Sequence, residues 1–136
     1  MLFRSNALNK LSVHQKMALL VDHPDTIDFL ERELSSEVGI WVEIDTGSKR
    51  SGLNPKDYKA IKALLEKIDG ARMVYLEGLY SHAGHTYTAR GKEMALNIFE
   101  DAKAQMIQLK NNIDIKDLVI NMGDTPGCSL SDDFSD

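Results

Sequence analysis

The sequence is poor in the residues that form covalent or metal cross-links. It contains one cysteine, Cys128, which excludes an internal disulfide and a zinc cluster of several thiolates. Such sparse use of cysteine is typical of a reducing compartment, so we expect a cytoplasmic protein. No apolar run approaches the roughly 20 residues that a membrane span needs, and no signal-peptide core is visible. We therefore expect no membrane segment.

Clusters of basic residues are also missing. The chain carries 16 basic and 21 acidic residues, a formal net charge of -5, and no group of lysines or arginines exceeds a few positions. This charge pattern argues against a nucleic-acid partner and favours a small molecule. With 136 residues, 43% hydrophobic and 27% charged, the chain has the size and composition of one soluble globular domain.

Apolar runs and helical spacing alternate along the chain. Strands are predicted at 17–21, 40–44, 73–82 and 117–122, with helices between them over 24–36, 54–69 and 90–110. Short connections between alternating strands and helices are typical of parallel βαβ units. Residues 1–16 are predicted to be a lead-in with weak helical spacing. The acidic, serine-rich residues 128–136 are predicted to be a disordered tail.

Three polar, glycine-rich stretches each follow a predicted strand: DTGSKRSGL at 45–53, HAGHTY at 82–87 and GDTPG at 123–127. The carboxyl ends of parallel strands share one edge of the sheet, so we expect these stretches to meet at one rim. The period of two along the third strand predicts Leu76, Gly78, Tyr80 and His82 on one face. Tyr80 and His82 should then point in the same direction.

Spacing alone leaves alternatives open for each polar residue. Arg50 alone would be a solvated loop charge, and His82 would be a histidine hydrogen-bonded locally. Glu43 and Asp45 share a face of the second strand, where they either pair with Arg50 or face water. Tyr80 fits a core position as well as a ligand contact. A metal site is not predicted, because a three-residue step separates the two histidines of this stretch and no third ligand is near.

The motifs IWVEIDTGSKRSGL (40–53), EGLYSHAGHTY (77–87) and INMGDTPG (120–127), in this order, resemble the barrel of the fold-type III pyridoxal-phosphate enzymes, the alanine racemase N-terminal type. The closest resemblance is to the D-serine dehydratase and D-threonine aldolase group, and it covers roughly residues 17–127. It implies an α/β fold, a partial (β/α)8 TIM-type barrel of about four parallel strands with intervening helices. The family's Schiff-base lysine and zinc ligands lie outside the part that this chain matches.

The resemblance also implies a cofactor, pyridoxal 5'-phosphate, and roles for particular residues. Arg50 matches the arginine at the cofactor's phenolic oxygen, where Glu43 would steady its charge. His82 matches the histidine beside the pyridine ring, Tyr80 on the same face would pack against the ring or serve as core, and Gly123 and Thr125 match the phosphate loop. His85 and Tyr87 match the substrate side, which makes His82 and Tyr87 the candidate catalytic pair. Asp124 departs from the small residue usual in the phosphate loop, and its charge would repel phosphate unless it turns to solvent.

The implied function is that of a fragment of a pyridoxal-phosphate-dependent D-amino acid lyase that is inactive alone. The alternatives are a non-catalytic pyridoxal-phosphate-binding protein and a vestigial fragment. The expected small-molecule partner is a D-amino acid. Because half a barrel leaves strand edges unpaired, a second copy or a complementing chain is a further expected partner.

Overall fold

The computed structural model describes residues 2–12 and 15–131. Its helices are α1 (Leu2–Ser12), α2 (Pro24–Glu33), α3 (Tyr58–Asp69), α4 (Lys92–Asn112) and α5 (Thr125–Cys128), and Gly84–Thr88 forms a 3₁₀ helix. Its strands are β1 (Ala18–Val21), β2 (Val38–Glu43), β3 (Val74–Ser81) and β4 (Ile120–Met122). All four strands run parallel, in the order β1-β2-β3-β4. The predicted α/β fold of four parallel strands is confirmed.

The core lies between the sheet and the helices on one of its faces. Val38, Ile40 and Val42 alternate along β2, and all three are fully buried. The opposite face of the sheet has no such cover within the described residues, and Leu20, which pairs with Trp41 in the neighbouring strand, is 50% exposed. Parallel sheets normally have both faces covered. The sheet is therefore a partial barrel whose inner face is open.

The alternation predicted along the third strand breaks at Glu77. Ile40 pairs with Leu76 and Trp41 pairs with Gly78, so Glu77 is one extra residue on β3. Such a bulge shifts every preceding side chain to the other face. Leu76 accordingly packs against the core, and its predicted place beside Tyr80 is wrong.

Glu77 is held at the bulge by neighbours near the amino ends of the strands. Its carboxylate lies 2.9 Å from the Lys16 amine, and this hydrogen bond raises the pKa of Lys16. A Cβ on Gly39 would lie only 2.6 Å from Glu77 Cγ, so glycine makes room for the glutamate. This ion pair places Lys16 at the end of the sheet opposite the predicted rim.

Several element boundaries differ from those predicted. The lead-in contains a formed helix, α1, attached to the end of α2 by the hydrogen bond from Asn9 Nδ2 to the Glu33 carbonyl (2.7 Å). The fourth strand begins at Ile120, three residues later than predicted. The predicted boundary of the tail falls inside α5, and residues 132–136 lie outside the described residues. Across the described ranges, no helix is long and apolar enough to cross a membrane.

Candidate functional site

The loop after β2 is organised by Asp45. Asp45 Oδ1 accepts hydrogen bonds from the backbone N–H groups of Gly47 (3.0 Å) and Lys49 (3.0 Å) and from the Ser48 hydroxyl (3.3 Å). Partial burial opposes ionisation, but these hydrogen bonds outweigh it and hold the pKa of Asp45 below its ordinary value. The carboxylate thus shapes the loop that carries Arg50.

Replacing Asp45 with alanine is expected to lower the free energy of unfolding at pH 7 by about 1–2 kcal/mol, because hydrogen bonds to a charged acceptor are lost. The folded-state pKa lies below the ordinary value of 3.8. The stabilisation is therefore complete above that value and is lost as pH falls through the folded-state pKa. Urea unfolding of both proteins at pH 7 and at successively lower pH measures the difference. A difference that does not shrink in acid would contradict this role.

Arg50 is exposed, and neither Glu43 nor Asp45 pairs with it among the described residues. Glu43 Oε1 instead accepts a hydrogen bond from the Ser51 hydroxyl (2.8 Å). The guanidinium makes no ion pair or side-chain hydrogen bond in the part of the chain that the structure describes. The expected acid–arginine pairing is therefore not formed, and all the donors of Arg50 are available to a ligand.

The exits of β3 and β4 are joined by side-chain contacts. A hydrogen bond links His82 Nδ1 to the Gly123 carbonyl, and Thr125 donates its backbone N–H to the Tyr87 hydroxyl (3.3 Å). The rings of His82 and Tyr87 lie 6.1 Å apart at 32°. A Cβ built on Gly123 would lie 3.8 Å from the Tyr80 hydroxyl, so Tyr80 also faces this junction. The predicted common direction of Tyr80 and His82 agrees with these contacts.

The β2 loop meets the same junction through His85. A Cβ on Gly47 would lie 3.1 Å from His85 Nε2, and one on Gly84 would lie 3.8 Å from Ser48 Cβ. His85 Nδ1 is buried and has no hydrogen-bond partner within the described residues. The exits of three neighbouring strands therefore meet at one rim. Arg50 belongs to this rim by its place in the β2 loop, although its guanidinium does not contact the other two loops.

Sequence reasoning missed a buried polar network beneath the rim. Thr46 and Ser81, 3% and 0% exposed, join their hydroxyls at 2.9 Å, and Ser81 Oγ also donates to the Ile44 carbonyl (2.9 Å). Gln105 of α4 donates to the Thr46 carbonyl (3.2 Å). Small hydroxyl residues at the ends of two apolar runs were the available signal. The network fixes the separation of the β2 and β3 exits.

Asp124 faces the protein interior rather than solvent. It is 5% exposed and caps α5, with Oδ2 accepting from the Gly127 N–H (2.8 Å) and the Thr86 hydroxyl (2.5 Å). The sequence left open whether the carboxylate turns to solvent, and the structure shows that it does not. The reason is that the backbone of α5 and the 3₁₀ helix both supply donors to it.

Two cavities lie outside the three loops that form the rim. One, of about 500 Å³, runs between α4 and β4, and the other, of about 970 Å³, lies near the amino end of β3. The rim itself is an open edge rather than an enclosed cavity, because only part of a barrel surrounds it. In such an open edge, a site is marked by the convergence of side chains rather than by enclosed volume.

An α/β sheet with its polar groups at the carboxyl ends of the strands is the arrangement in which barrel folds bind ligands. The alanine racemase N-terminal domain family matches residues 2–134. The chain belongs to this family, the barrel of the fold-type III pyridoxal-phosphate enzymes.

One relative is similar to the chain in sequence, and solved structures are similar to it in fold. D-serine dehydratase of Schizosaccharomyces pombe (strain 972) is 30% identical over 131 residues, which cover 88% of this chain and 31% of the relative. D-threo-3-hydroxyaspartate dehydratase from Delftia sp. HT23 superposes with a TM-score of 0.80 at 24% identity, over 97% of this chain and 36% of that one. D-threonine aldolase from Filomicrobium marinum superposes with a TM-score of 0.80 at 23% identity, over 96% of this chain and 36% of that one. The chain spans about a third of the length of these relatives.

The rim residues fit the non-covalent contacts that pyridoxal phosphate needs. They supply an imidazole and an aromatic ring at His82 and Tyr87, a guanidinium at Arg50 that has no partner among the described residues, and the exposed residue Thr125 in the loop after β4. Lys16 does not belong to the rim, because it pairs with Glu77 near the other end of the strands. In residues 2–12 and 15–131, no group of three His, Cys, Asp or Glu side chains is arranged to hold a metal ion.

Proposed function

We propose that this chain is a barrel segment of a pyridoxal-phosphate-dependent lyase that acts on a D-hydroxy amino acid such as D-serine. It supplies the non-covalent half of the cofactor site and is inactive without the rest of the barrel. The observation that carries the proposal is the meeting of the β2, β3 and β4 exits around His82. The 30% identity to a D-serine dehydratase supports the substrate class.

When bound, pyridoxal phosphate supplies an electron sink for the charge left at the substrate's α-carbon. Arg50 would bind its phenolic oxygen, because a permanently charged guanidinium favours the ionised phenol. Tyr80 would contact the ring, and the backbone of Gly123 together with the hydroxyl of Thr125 would hold the phosphate. Asp124 contributes its negative charge close to that loop, so we expect it to lower the affinity for the phosphate without abolishing phosphate binding.

His82 is oriented for proton transfer by its bond to Gly123. A carbonyl oxygen only accepts hydrogen bonds, so Nδ1 carries the proton and Nε2 is the acceptor of the neutral ring. Tyr87 accepts from the Thr125 N–H, which leaves its own O–H to donate to a ligand. His85 and Tyr87 line the substrate side, where the exposed Tyr87 ring is accessible.

The open inner face of the sheet requires a covering partner. We propose that the remaining strands, carrying the Schiff-base lysine, cover it, either on the same polypeptide or on a complementing chain. A second copy of the chain is the other arrangement that would pair the two outer strands, β1 and β4. Size-exclusion chromatography with light scattering distinguishes a monomer of 15.2 kDa from a pair.

Isothermal titration with 4'-deoxypyridoxine 5'-phosphate tests cofactor binding. This ligand lacks the aldehyde, so it cannot form imines with surface lysines. Dephosphorylated 4'-deoxypyridoxine is the matched ligand. We expect the phosphorylated ligand to bind at least tenfold more tightly, because only it reaches Thr125 and Gly123. Equal affinities, or no binding of either up to millimolar concentration, would contradict the proposal.

A chimera tests the substrate class. The matching segment of the Schizosaccharomyces pombe D-serine dehydratase is replaced by residues 2–134 of this chain, and products are measured from D-serine and D-threonine. We expect a keto acid and ammonia, the products of dehydration followed by loss of the amine. A folded, cofactor-loaded chimera that instead releases glycine and an aldehyde from D-threonine would favour an aldolase. A loaded chimera that is inert with both amino acids favours the alternative, a non-catalytic cofactor-binding protein.

A further inference from the structure

Asp124 occupies the centre of the contacts between the two functional loops. Its Oδ2 atom accepts from the Thr86 hydroxyl on the 3₁₀ helix and from the Gly127 N–H in α5. Both donors and the acceptor are buried, with Thr86 2% and Asp124 5% exposed. We call this set of two hydrogen bonds the Thr86–Asp124 clamp.

The clamp lies between the residues that the proposed function uses. In sequence, Thr86 separates His85 from Tyr87, and Asp124 separates Gly123 from Thr125. Outside the clamp, the two loops are joined by the His82–Gly123 bond and the Tyr87–Thr125 bond, which lie at more exposed positions. The buried Thr86–Asp124 bond lies between these two more exposed bonds, so it determines the spacing of all three contacts between the loops.

The clamp depends on the acceptor atom rather than on the charge. Both donors bind the same oxygen, Oδ2, while Oδ1 is buried and has no partner within the described residues. An asparagine side chain can place its single oxygen at the Oδ2 position and keep both hydrogen bonds. An alanine keeps neither.

We propose that Asp124 is a positioning residue that holds the exit loops of β3 and β4 in register, so that His82 meets Gly123 and Tyr87 meets Thr125. This role concerns the free protein, and its importance for the cofactor rests on the proposed function. Asp57, by comparison, is an ordinary helix cap that joins no second loop. It caps α3 by accepting a hydrogen bond from the Ala60 N–H alone, at an exposed position.

Four variants test the clamp without ligand: D124A, D124N, T86V and T86S. D57A is the control, because it also removes a helix-capping aspartate. The measurements are the ¹⁵N shifts of the His82 ring, which report its tautomer, and amide hydrogen exchange at Thr125 and Gly127. These values report the rim itself, whereas a loss of overall stability alone would not change the His82 tautomer.

We expect D124A and T86V to shift the His82 ring toward the Nε2-protonated tautomer and to raise amide exchange at Thr125 about tenfold. We expect D124N, T86S and D57A to leave both measurements within about twofold of the wild type. If D124A does not fold, the comparison of T86V with T86S tests the proposal instead. T86V loses the hydroxyl at position 86, and T86S retains it. The proposal is overturned if T86V has the His82 tautomer and the Thr125 exchange rate of the wild type. It is also overturned if D124N changes both measurements as much as D124A does.

The ligand titration then separates the two proposals. If the clamp positions the cofactor site, T86V weakens binding of 4'-deoxypyridoxine phosphate while T86S retains it. D124N strengthens binding, because the repelling charge beside the phosphate is removed and the clamp is kept. Changes at His82 in T86V with no ligand binding in any variant would support the clamp and overturn the proposed function alone.

Discussion

Replacing Gly52 with alanine is expected to destabilise the protein by about 3 kcal/mol or more, since a strained φ and a backbone clash add together. Gly52 has a φ of +100°, and a Cβ there would lie 2.7 Å from the Asp45 nitrogen and 2.9 Å from the Ile44 carbonyl carbon. These are backbone atoms of the β2 exit, so the clash can be removed only if the loop moves. That movement would take Gly52 away from Asp22, whose carboxylate accepts the Gly52 N–H (3.0 Å).

Gly91 provides the matched control for this substitution. Its φ is +97°, almost the same as that of Gly52, but a Cβ there meets nothing within 4 Å. The substitution G91A should therefore cost only the strain of the backbone conformation, about 1–2 kcal/mol. Urea unfolding of the two variants and the wild type measures both effects. Equal losses in G52A and G91A would contradict the packing of the β2 loop described above.

Replacing Arg50 with alanine is expected to weaken binding of 4'-deoxypyridoxine phosphate about tenfold, the loss of one charge-assisted hydrogen bond. The exposed guanidinium has no protein partner among the described residues, so its removal leaves no buried group unpaired and should not disturb the fold.

Lys49 is the control for Arg50, because K49A removes the same charge from the adjacent position. The Lys49 side chain is exposed, and its loop contact with Asp45 uses the backbone N–H, which alanine retains. We expect K49A to change affinity less than twofold. If titration shows similar losses in R50A and K49A, the effect is general electrostatic attraction and Arg50 has no specific contact.

The general architecture could be predicted from the sequence because it depends on signals that are local. Apolar runs such as IWVEI indicated the strands, and the polar stretches after them indicated the rim on which His82 and Thr125 lie. The position of Tyr80 relative to His82 followed from the two-residue period of a strand, which holds beyond the bulge.

The remaining features depend on contacts between distant residues. The bulge at Glu77 requires a partner without a side chain at Gly39 and a cation at Lys16, neither of which the period of one strand can show. The sequence did not show that Asp124 is buried, because its donor Thr86 comes from a separate element. No spacing rule connects residues 38 positions apart.

The central claim is that the exits of β2, β3 and β4 form one site for a phosphorylated pyridine. The most direct test is to follow the backbone ¹⁵N–¹H signals of the protein during titration with 4'-deoxypyridoxine phosphate. We expect the shifted signals to cluster in residues 45–52, 82–87 and 123–125. Shifts confined to the cavity of about 500 Å³ between α4 and β4, lined by Phe99 and Ile107, would contradict the claim, as would shifts in only one of the three loops.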